Sequence, residues 1–291
     1  MEHRSGFVNI LGNPNVGKST LMNGLTGEKL SIITSKSQTT RHRIMGIVNG
    51  DDFQIVYSDT PGILNPKYRL QEAMMNFVKT ALSDADLIIY VTDVVETVDK
   101  NEEYLKKIIE APVPKIIAIN KIDLSTTEHL DELFDYWTST VPGAVVVPIS
   151  ALTRFNLDNL FKIIIEKIPE GPAWFPKDQL TDRYERFFVT EIIREKILSN
   201  YQKEIPYSVE IEIESFSDEK NITRIGAIIH VVRESQKGIV IGHKGQKLKK
   251  VGTEARKDIE EMLSRKVFLE LHVKVTKDWR DNQSALKRFG Y

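Results

Sequence analysis

The sequence contains no cysteine, which excludes disulfides, thiolate nucleophiles and cysteine-held zinc or iron–sulfur centres, and favours a reducing compartment. Excess charge is missing too. Its 40 Lys and Arg stand against 41 Asp and Glu, a formal net of −1, so only local clustering can reveal a polyanion partner. No apolar run is long enough to cross a bilayer, and the start, Met1 to Gly6, lacks the basic, apolar and small-residue succession of a targeting signal. The few histidines, His3, His42, His129, His230, His243 and His272, show no ligand spacing, which argues against zinc. What remains is a chain of 291 residues, 41% hydrophobic and 28% charged, long enough for two modest domains with their own cores. The cytoplasm is its expected location.

Apolar runs rich in β-branched residues recur at 7–11, 44–48, 53–57, 87–91, 116–119 and 145–149, with amphipathic stretches between most of them. That alternation predicts an α/β fold: a mostly parallel sheet with helices on both faces, in which 44–57 is a hairpin turning at Asn49-Gly50-Asp51. Ligands of such a sheet sit beyond the carboxyl ends of its strands. Four motifs fall there.

The first, Gly12-Asn13-Pro14-Asn15-Val16-Gly17-Lys18-Ser19, leaves a strand and opens a helix, so successive N–H groups and the helix N-terminus can wrap a pyrophosphate. Gly12 and Gly17 permit close backbone approach, Lys18 brings a point charge toward β- and γ-phosphates, and Ser19 is placed to ligate magnesium. Asn13, Asn15, Val16 and Thr20 belong to the same nucleotide cradle. In Asp59-Thr60-Pro61-Gly62 the carboxylate is expected to hold the magnesium, directly or through water, and the Gly62 N–H to meet a γ-phosphate oxygen. Asn120-Lys121-Ile122-Asp123 reads the base, because a carboxylate at Asp123 accepts the two adjacent N–H donors of guanine that adenine lacks. The Lys121 stem packs on the purine, Asn120 ties back to the phosphate loop, and Ser150-Ala151-Leu152 offers an N–H to the guanine carbonyl. Between them, the polar segment 31–40 ends in Gln38-Thr39-Thr40-Arg41; one of Thr39 and Thr40 supplies a second hydroxyl to the metal, and Thr40 is the choice. Lys18, Thr40 and Gly62 are thus the candidate catalytic residues, and Ser19, Thr40 and Asp59 the candidate magnesium ligands. Arg41 and Arg43 read as surface or RNA-contacting arginines rather than arginine fingers. Ile63, following Gly62, cannot orient a water, so intrinsic hydrolysis is expected to be slow.

The pattern breaks at Pro169-Glu170-Gly171-Pro172-Ala173-Trp174-Phe175-Pro176, where three prolines forbid a continuous helix and mark a domain boundary. Beyond it come a helix over 183–201, strands over 209–214 and 222–232, Ile241-Gly242-His243-Lys244-Gly245, a helix over 246–263 and a strand over 267–275. The order is α-β-β-α-α-β. A Gly-x-x-Gly turn between helices is how K-homology (KH) domains clamp a single-stranded nucleic-acid backbone. Lys237, Lys247, Lys249, Lys250, Arg256 and Lys257 gather charge around it, so Ile241, Gly242, His243, Lys244, Gly245, Lys247 and Lys250 are the candidate RNA contacts. The alternation of Glu210, Glu212 and Glu214 reads as a strand's outward face.

A phosphate-loop GTPase followed by a KH domain resembles the Era family of bacterial GTPases, within the TrmE-Era-EngA-type group. The resemblance runs over nearly the whole chain and includes 38–43, 169–183, 241–256 and 279–291. It implies a Ras-like GTPase domain over 1–168, a linker over 169–182, a type II KH domain over 183–277 and a tail over 278–291. It further implies GTP hydrolysis to GDP and phosphate with magnesium, potassium held through Asn15, and a hydrophobic residue, here Ile63, where Ras-like proteins keep glutamine. The implied partners are the 3′ end of the small-subunit ribosomal RNA and the 30S subunit during its assembly, for a monomer. Peripheral association with the inner face of the membrane is a family trait, although no amphipathic basic anchor here demands it. Two other readings stay open: an RNA-binding scaffold with a structural nucleotide, and a GTPase serving RNA modification.

Overall fold

The apolar runs of the first half become one six-stranded sheet, made of β1 (Arg4–Gly12), β2 (Ile44–Asn49), β3 (Phe53–Asp59), β4 (Leu87–Asp93), β5 (Lys115–Asn120) and β6 (Val145–Pro148). A computed structural model describes residues 3–96 and 101–291; Met1 and Glu2, read above for a targeting signal, lie outside the described residues. The strand order is β2-β3-β1-β4-β5-β6, with β2 alone antiparallel to its neighbour. Every residue of β4 is buried, as expected of a strand covered on both faces, and this is why its sequence is a continuous apolar run. The intervening helices are α1 (Lys18–Thr26), α2 (Arg69–Ser83), α3 (Glu102–Glu110), α4 (Thr127–Thr140) and α5 (Leu157–Lys167). Helices α1 and α5 bring Leu21, Met22, Leu160 and Ile164 onto the face formed by Val8, Ile10, Ile89 and Val91. On the opposite face α4 seats Trp137 against Tyr90, ring centroids 5.5 Å apart. The register aligns Ile10 with Asp59 and Asp93 with Asn120, so the four central strands deliver their carboxyl ends to one edge.

The chain divides into two compact units, Met1–Lys67 with Gln71–Asp182 and Tyr68–Leu70 with Arg183–Tyr291. The segment 169–182 is a strap on the first unit. Ser5 donates to the Pro169 carbonyl at 3.0 Å, Ile47 to that of Leu180 at 2.8 Å, and the N–H groups of Trp174 and Phe175 both reach the buried Gln54 Oε1. Paired backbone of this kind restrains a segment far more than composition suggests.

In the second unit follow α6 (Glu185–Asn200), a single turn α7 (Ile205–Ser208), β7 (Glu210–Glu219), β8 (Ile222–Val231), α8 (Glu234–Ile241), α9 (Gln246–Leu263) and β9 (Val267–Val275). Strand β8 is central, antiparallel to β7 and parallel to β9. Ile193, Ile197, Ile225, Ile229, Val251 and Ile259 form the core. The expected outward face of β7 is overturned in part: Glu214 is exposed, but Glu210 is buried and Glu212 half-buried. The cause is the end of the chain. Residues 278–291, with α10 (Gln283–Arg288), fold back over that face, so that the Tyr291 hydroxyl donates to Glu210 Oε2 at 2.7 Å and Arg288 lies 3.5 Å from Glu212. Trp279 is fully buried, donating to the Ser208 carbonyl at 3.1 Å, and Phe289 packs on His230. The segment expected as a tail is thus packed on the second unit, of which it forms part.

Candidate functional site

Beyond the β1 end, Gly12 (φ 148), Asn15 (φ 68) and Gly17 (φ 97) turn the chain sharply into α1. A Cβ at Gly12 would stand 2.2 Å from the Val91 carbonyl oxygen, so glycine is required there. Lys18 is buried, and its Nζ donates to the Asn13 carbonyl at 2.7 Å. Burial lowers its pKa to about 8, against the opposing pull of Asp59 and Glu96. A cavity of about 450 Å³ opens over this turn, lined by Asn15, Gly17, Lys18, Ser19, Thr20 and Lys121 together with residues of 32–40. Gly62 closes one side: a Cβ there would meet Pro14 main-chain atoms at 2.7 Å. Ile63 is buried and donates its N–H to the Gly12 carbonyl at 3.1 Å, so its side chain faces the core.

At the floor, Ser19 Oγ donates to Asp59 Oδ2 at 2.7 Å, and Thr40 Oγ1 stands 2.9 Å from Ser19 Oγ and 3.3 Å from Asp59 Oδ2. Thr39 is elsewhere, bonded to Thr34 and the Lys36 carbonyl. The structure thus brings Thr40 to the floor. Asp59 Oδ1 is buried without a hydrogen-bond partner, and desolvation raises the pKa of its carboxyl despite Lys18 nearby. One carboxylate with an orphaned oxygen and two hydroxyls form a hard donor set, which fits magnesium completed by phosphate oxygens and water. No cluster of three His, Asp or Glu suited to a metal exists among the described residues. The 31–40 segment is anchored at its start, where Asn23 Oδ1 accepts the N–H groups of Leu30 and Ser31.

Arg41 and Arg43, expected at the surface or on RNA, are both buried. Arg43 donates to Ser58 Oγ, to Asn9 Oδ1 at 3.1 Å and to both oxygens of Asp84. Its charge is compensated by Asp84, just beyond α2, a partly exposed carboxylate that also accepts from Asn9 Nδ2 of β1 at 2.8 Å. A residue so engaged fixes the start of β2 and cannot reach a bound ligand.

At the base end, Asn120 Nδ2 donates to the Val16 carbonyl at 2.8 Å while its Oδ1 accepts the Ala151 N–H at 2.9 Å. Of the three N–H groups of Ser150-Ala151-Leu152, that of Ala151 thus holds the two loops together and that of Ser150 donates to the Phe155 carbonyl at 3.2 Å; Ser150 is buried and Leu152 is exposed. Lys121 Nζ donates to the Asn15 carbonyl at 2.7 Å and pairs with Asp93, whose other oxygen accepts the N–H groups of Val95 and Glu96. Asp123 is exposed and has no protein partner among the described residues, which leaves both acceptor oxygens for a ligand. Glu96 was not legible in the sequence. It accepts from Asn13 and Thr92, and burial raises its pKa above the ordinary range.

In the second unit α8 ends at a turn formed by Gly242 (φ 72), Lys244 (φ 49) and Gly245 (φ 76), and α9 begins at Gln246. His243 and Lys244 are exposed, Ile241 and Gly245 half-buried. The Lys247 stem lies along Gly242, where a Cβ would stand 2.7 Å from its Cγ. Lys250 and Arg256 face Glu254 and Glu260 at 3.8 and 2.9 Å, so part of the expected cationic surface is already balanced.

Residues 7–121 match the family described as 50S ribosome-binding GTPase and residues 204–280 the KH domain family. GTPase Era of Geotalea daltonii is 44% identical over 292 residues, covering all of this chain and 98% of the relative. That of Staphylococcus haemolyticus is 43% identical with the same coverage. Among solved structures, Era in complex with MgGDPNP and nucleotides 1506–1542 of 16S ribosomal RNA is similar with a TM-score of 0.95, at 40% identity and 99% coverage of both chains. A point variant of Aquifex aeolicus Era bound to GDP and AlF4− is similar to the same degree, TM-score 0.95 at 41% identity and equal coverage.

Proposed function

The chain belongs to the Era GTPase family, and from that premise we propose that it hydrolyses GTP to GDP and phosphate and binds the 3′ end of small-subunit ribosomal RNA during assembly of the 30S subunit. The observation that carries this reading is the match over 99% of both chains to an Era structure holding MgGDPNP and 16S ribosomal RNA. The residues of the cleft fit the chemistry.

Glycine-permitted main chain from 12 to 17 cradles the phosphates, and Lys18, already in place beneath Asn13, supplies the positive charge that a triphosphate needs. Ser19, Thr40 and Asp59 hold magnesium, which when bound neutralises charge developing on the phosphate oxygens. Gly62, tight against Pro14, directs its N–H toward the γ-phosphate. Asp123 accepts the two guanine donors, while Asn120 and Lys121 keep the base loop tied to the phosphate loop. Water attacks in line, positioned by main chain, because the buried Ile63 offers no hydrogen bond. Asn15, in the left-handed region beside the cleft, is the residue assigned to potassium by family resemblance.

The turn from Gly242 to Gly245, with Ile241, His243, Lys244, Lys247 and Lys250, takes the RNA backbone. We place the protein in the cytoplasm as a monomer. Membrane association, where it occurs, is peripheral, since no described helix is long and apolar enough to cross a bilayer. Single-turnover hydrolysis of GTP, with and without an RNA carrying the 16S 3′ end, tests the whole reading. Stimulation by RNA and potassium is expected; turnover absent under every condition would leave the scaffold reading in its place.

A further inference from the structure

Four side chains, three of them outside the motifs, and the Ile63 carbonyl form a directed hydrogen-bond chain around the phosphate loop. Thr92 Oγ1 donates to Glu96 Oε1 at 2.8 Å, and Asn13 Nδ2 donates to Glu96 Oε2 at 2.9 Å. Asn101 Nδ2 donates to Asn13 Oδ1 at 2.8 Å and to the Ile63 carbonyl at 3.2 Å. Glu96 is presented by a turn in which Asp93 Oδ1 accepts the N–H groups of Val95 and Glu96. The same Asp93 pairs with Lys121 of the base loop. The chain therefore joins base loop, phosphate loop and the Ile63 carbonyl, one residue beyond Gly62.

Its direction is set at one end. An ionised carboxylate only accepts, so Asn13 must turn its amide nitrogen to Glu96 and its oxygen to Asn101, which in turn must offer its nitrogen. That nitrogen is what reaches the Ile63 carbonyl. From this geometry we infer that Glu96 and Asn101 are positioning residues for γ-phosphate recognition: Glu96 polarises the relay, and Asn101 holds the Ile63 carbonyl, which together with the Ile63 N–H on the Gly12 carbonyl fixes Ile63 from both sides and so anchors the chain immediately after Gly62. The inference rests on the GTPase reading above and names residues that no motif contains.

With Glu96→Gln, one arm of the side chain becomes a donor. If its oxygen stays on Thr92, Asn13 has to flip, Asn101 has to flip after it, and the Ile63 carbonyl faces an oxygen instead of a nitrogen. Asn101→Ala removes the last link without changing charge. Asn101→Ala should lower the ratio of GDPNP affinity to GDP affinity about three- to tenfold, the worth of one hydrogen bond felt in only one nucleotide state; Glu96→Gln follows only if its new nitrogen faces Asn13, because the Thr92 hydroxyl can accept that nitrogen and leave the relay intact. Loss of a negative charge near Lys18 would by itself move Glu96→Gln the other way, favouring the more anionic ligand. A fall in Asn101→Ala, which changes no charge, is therefore diagnostic.

The experiment is competition of fluorescent GDP against GDPNP and GDP, on the full chain with magnesium, for wild type, Glu96→Gln and Asn101→Ala. A wild type that binds neither nucleotide sinks the GTPase reading. A wild type that binds both, with Asn101→Ala keeping its ratio or weakening the two nucleotides equally, sinks the relay alone. Asn101 is only half-buried, so its truncation leaves a folded protein even if Glu96→Gln does not.

Discussion

Lys18 lies buried in the phosphate loop with a pKa lowered to about 8 by desolvation. Phosphate oxygens beside it would favour the ammonium form and raise that value toward or beyond the ordinary lysine range. The sign of the linkage follows. Below about pH 8 the lysine is charged in both states and binding takes up no proton through it; above, the free protein has lost the proton and must regain it on binding. At about pH 8.5 roughly three-quarters of free Lys18 is neutral, so GTP binding should take up about 0.7 proton, and affinity should be about fourfold weaker than at about pH 7. Titration calorimetry at about pH 8.5 in two buffers of different ionisation enthalpy reads the uptake directly. By that pH the γ-phosphate has finished titrating, so it does not contribute. Lys18→Arg, which stays charged, should bind less tightly for reasons of shape and take up no proton. Identical heats in the two buffers would mean that Lys18 is already an ammonium before nucleotide binds, and would refute the account of its burial.

Asp123→Asn should move preference from guanine toward xanthine nucleotides by at least about tenfold in competition binding, since an exposed carboxylate with no protein partner has only a ligand to satisfy; unchanged GTP selectivity contradicts the base assignment. Replacing His243 and Lys244 together by Asp should weaken single-stranded RNA binding about tenfold or more in fluorescence anisotropy, with GTP affinity and melting temperature kept, because both side chains are exposed. An unchanged RNA affinity removes the turn from the interface. Trp279→Ala should destabilise the second unit by about 3–5 kcal/mol in urea unfolding, from loss of a fully buried indole and its bond to Ser208. A loss below about 1 kcal/mol would return 278–291 to the status of a loose tail.

The four motifs, the alternation of strands and helices, and the α-β-β-α-α-β order were legible because each is a local signal: period, turn chemistry, or residue types a few positions apart. Burial of Lys18 and Asp59 at one sheet edge also follows from the chain alone, once strands are assigned, because parallel strands put their carboxyl ends together. Other features depend on pairs far apart in sequence: Arg43 against Asp84, 41 residues on; Glu96 against Asn13, 83 back; Tyr291 against Glu210, 81 back. A charged residue looks alike in sequence whether solvent or a distant partner receives it. Only packing decides, and so tertiary structure turned two arginines expected at the surface inward, gave β7 a second covered face, set Thr40 rather than Thr39 beside Ser19 and Asp59, and brought an unremarked glutamate against Asn13 of the phosphate loop.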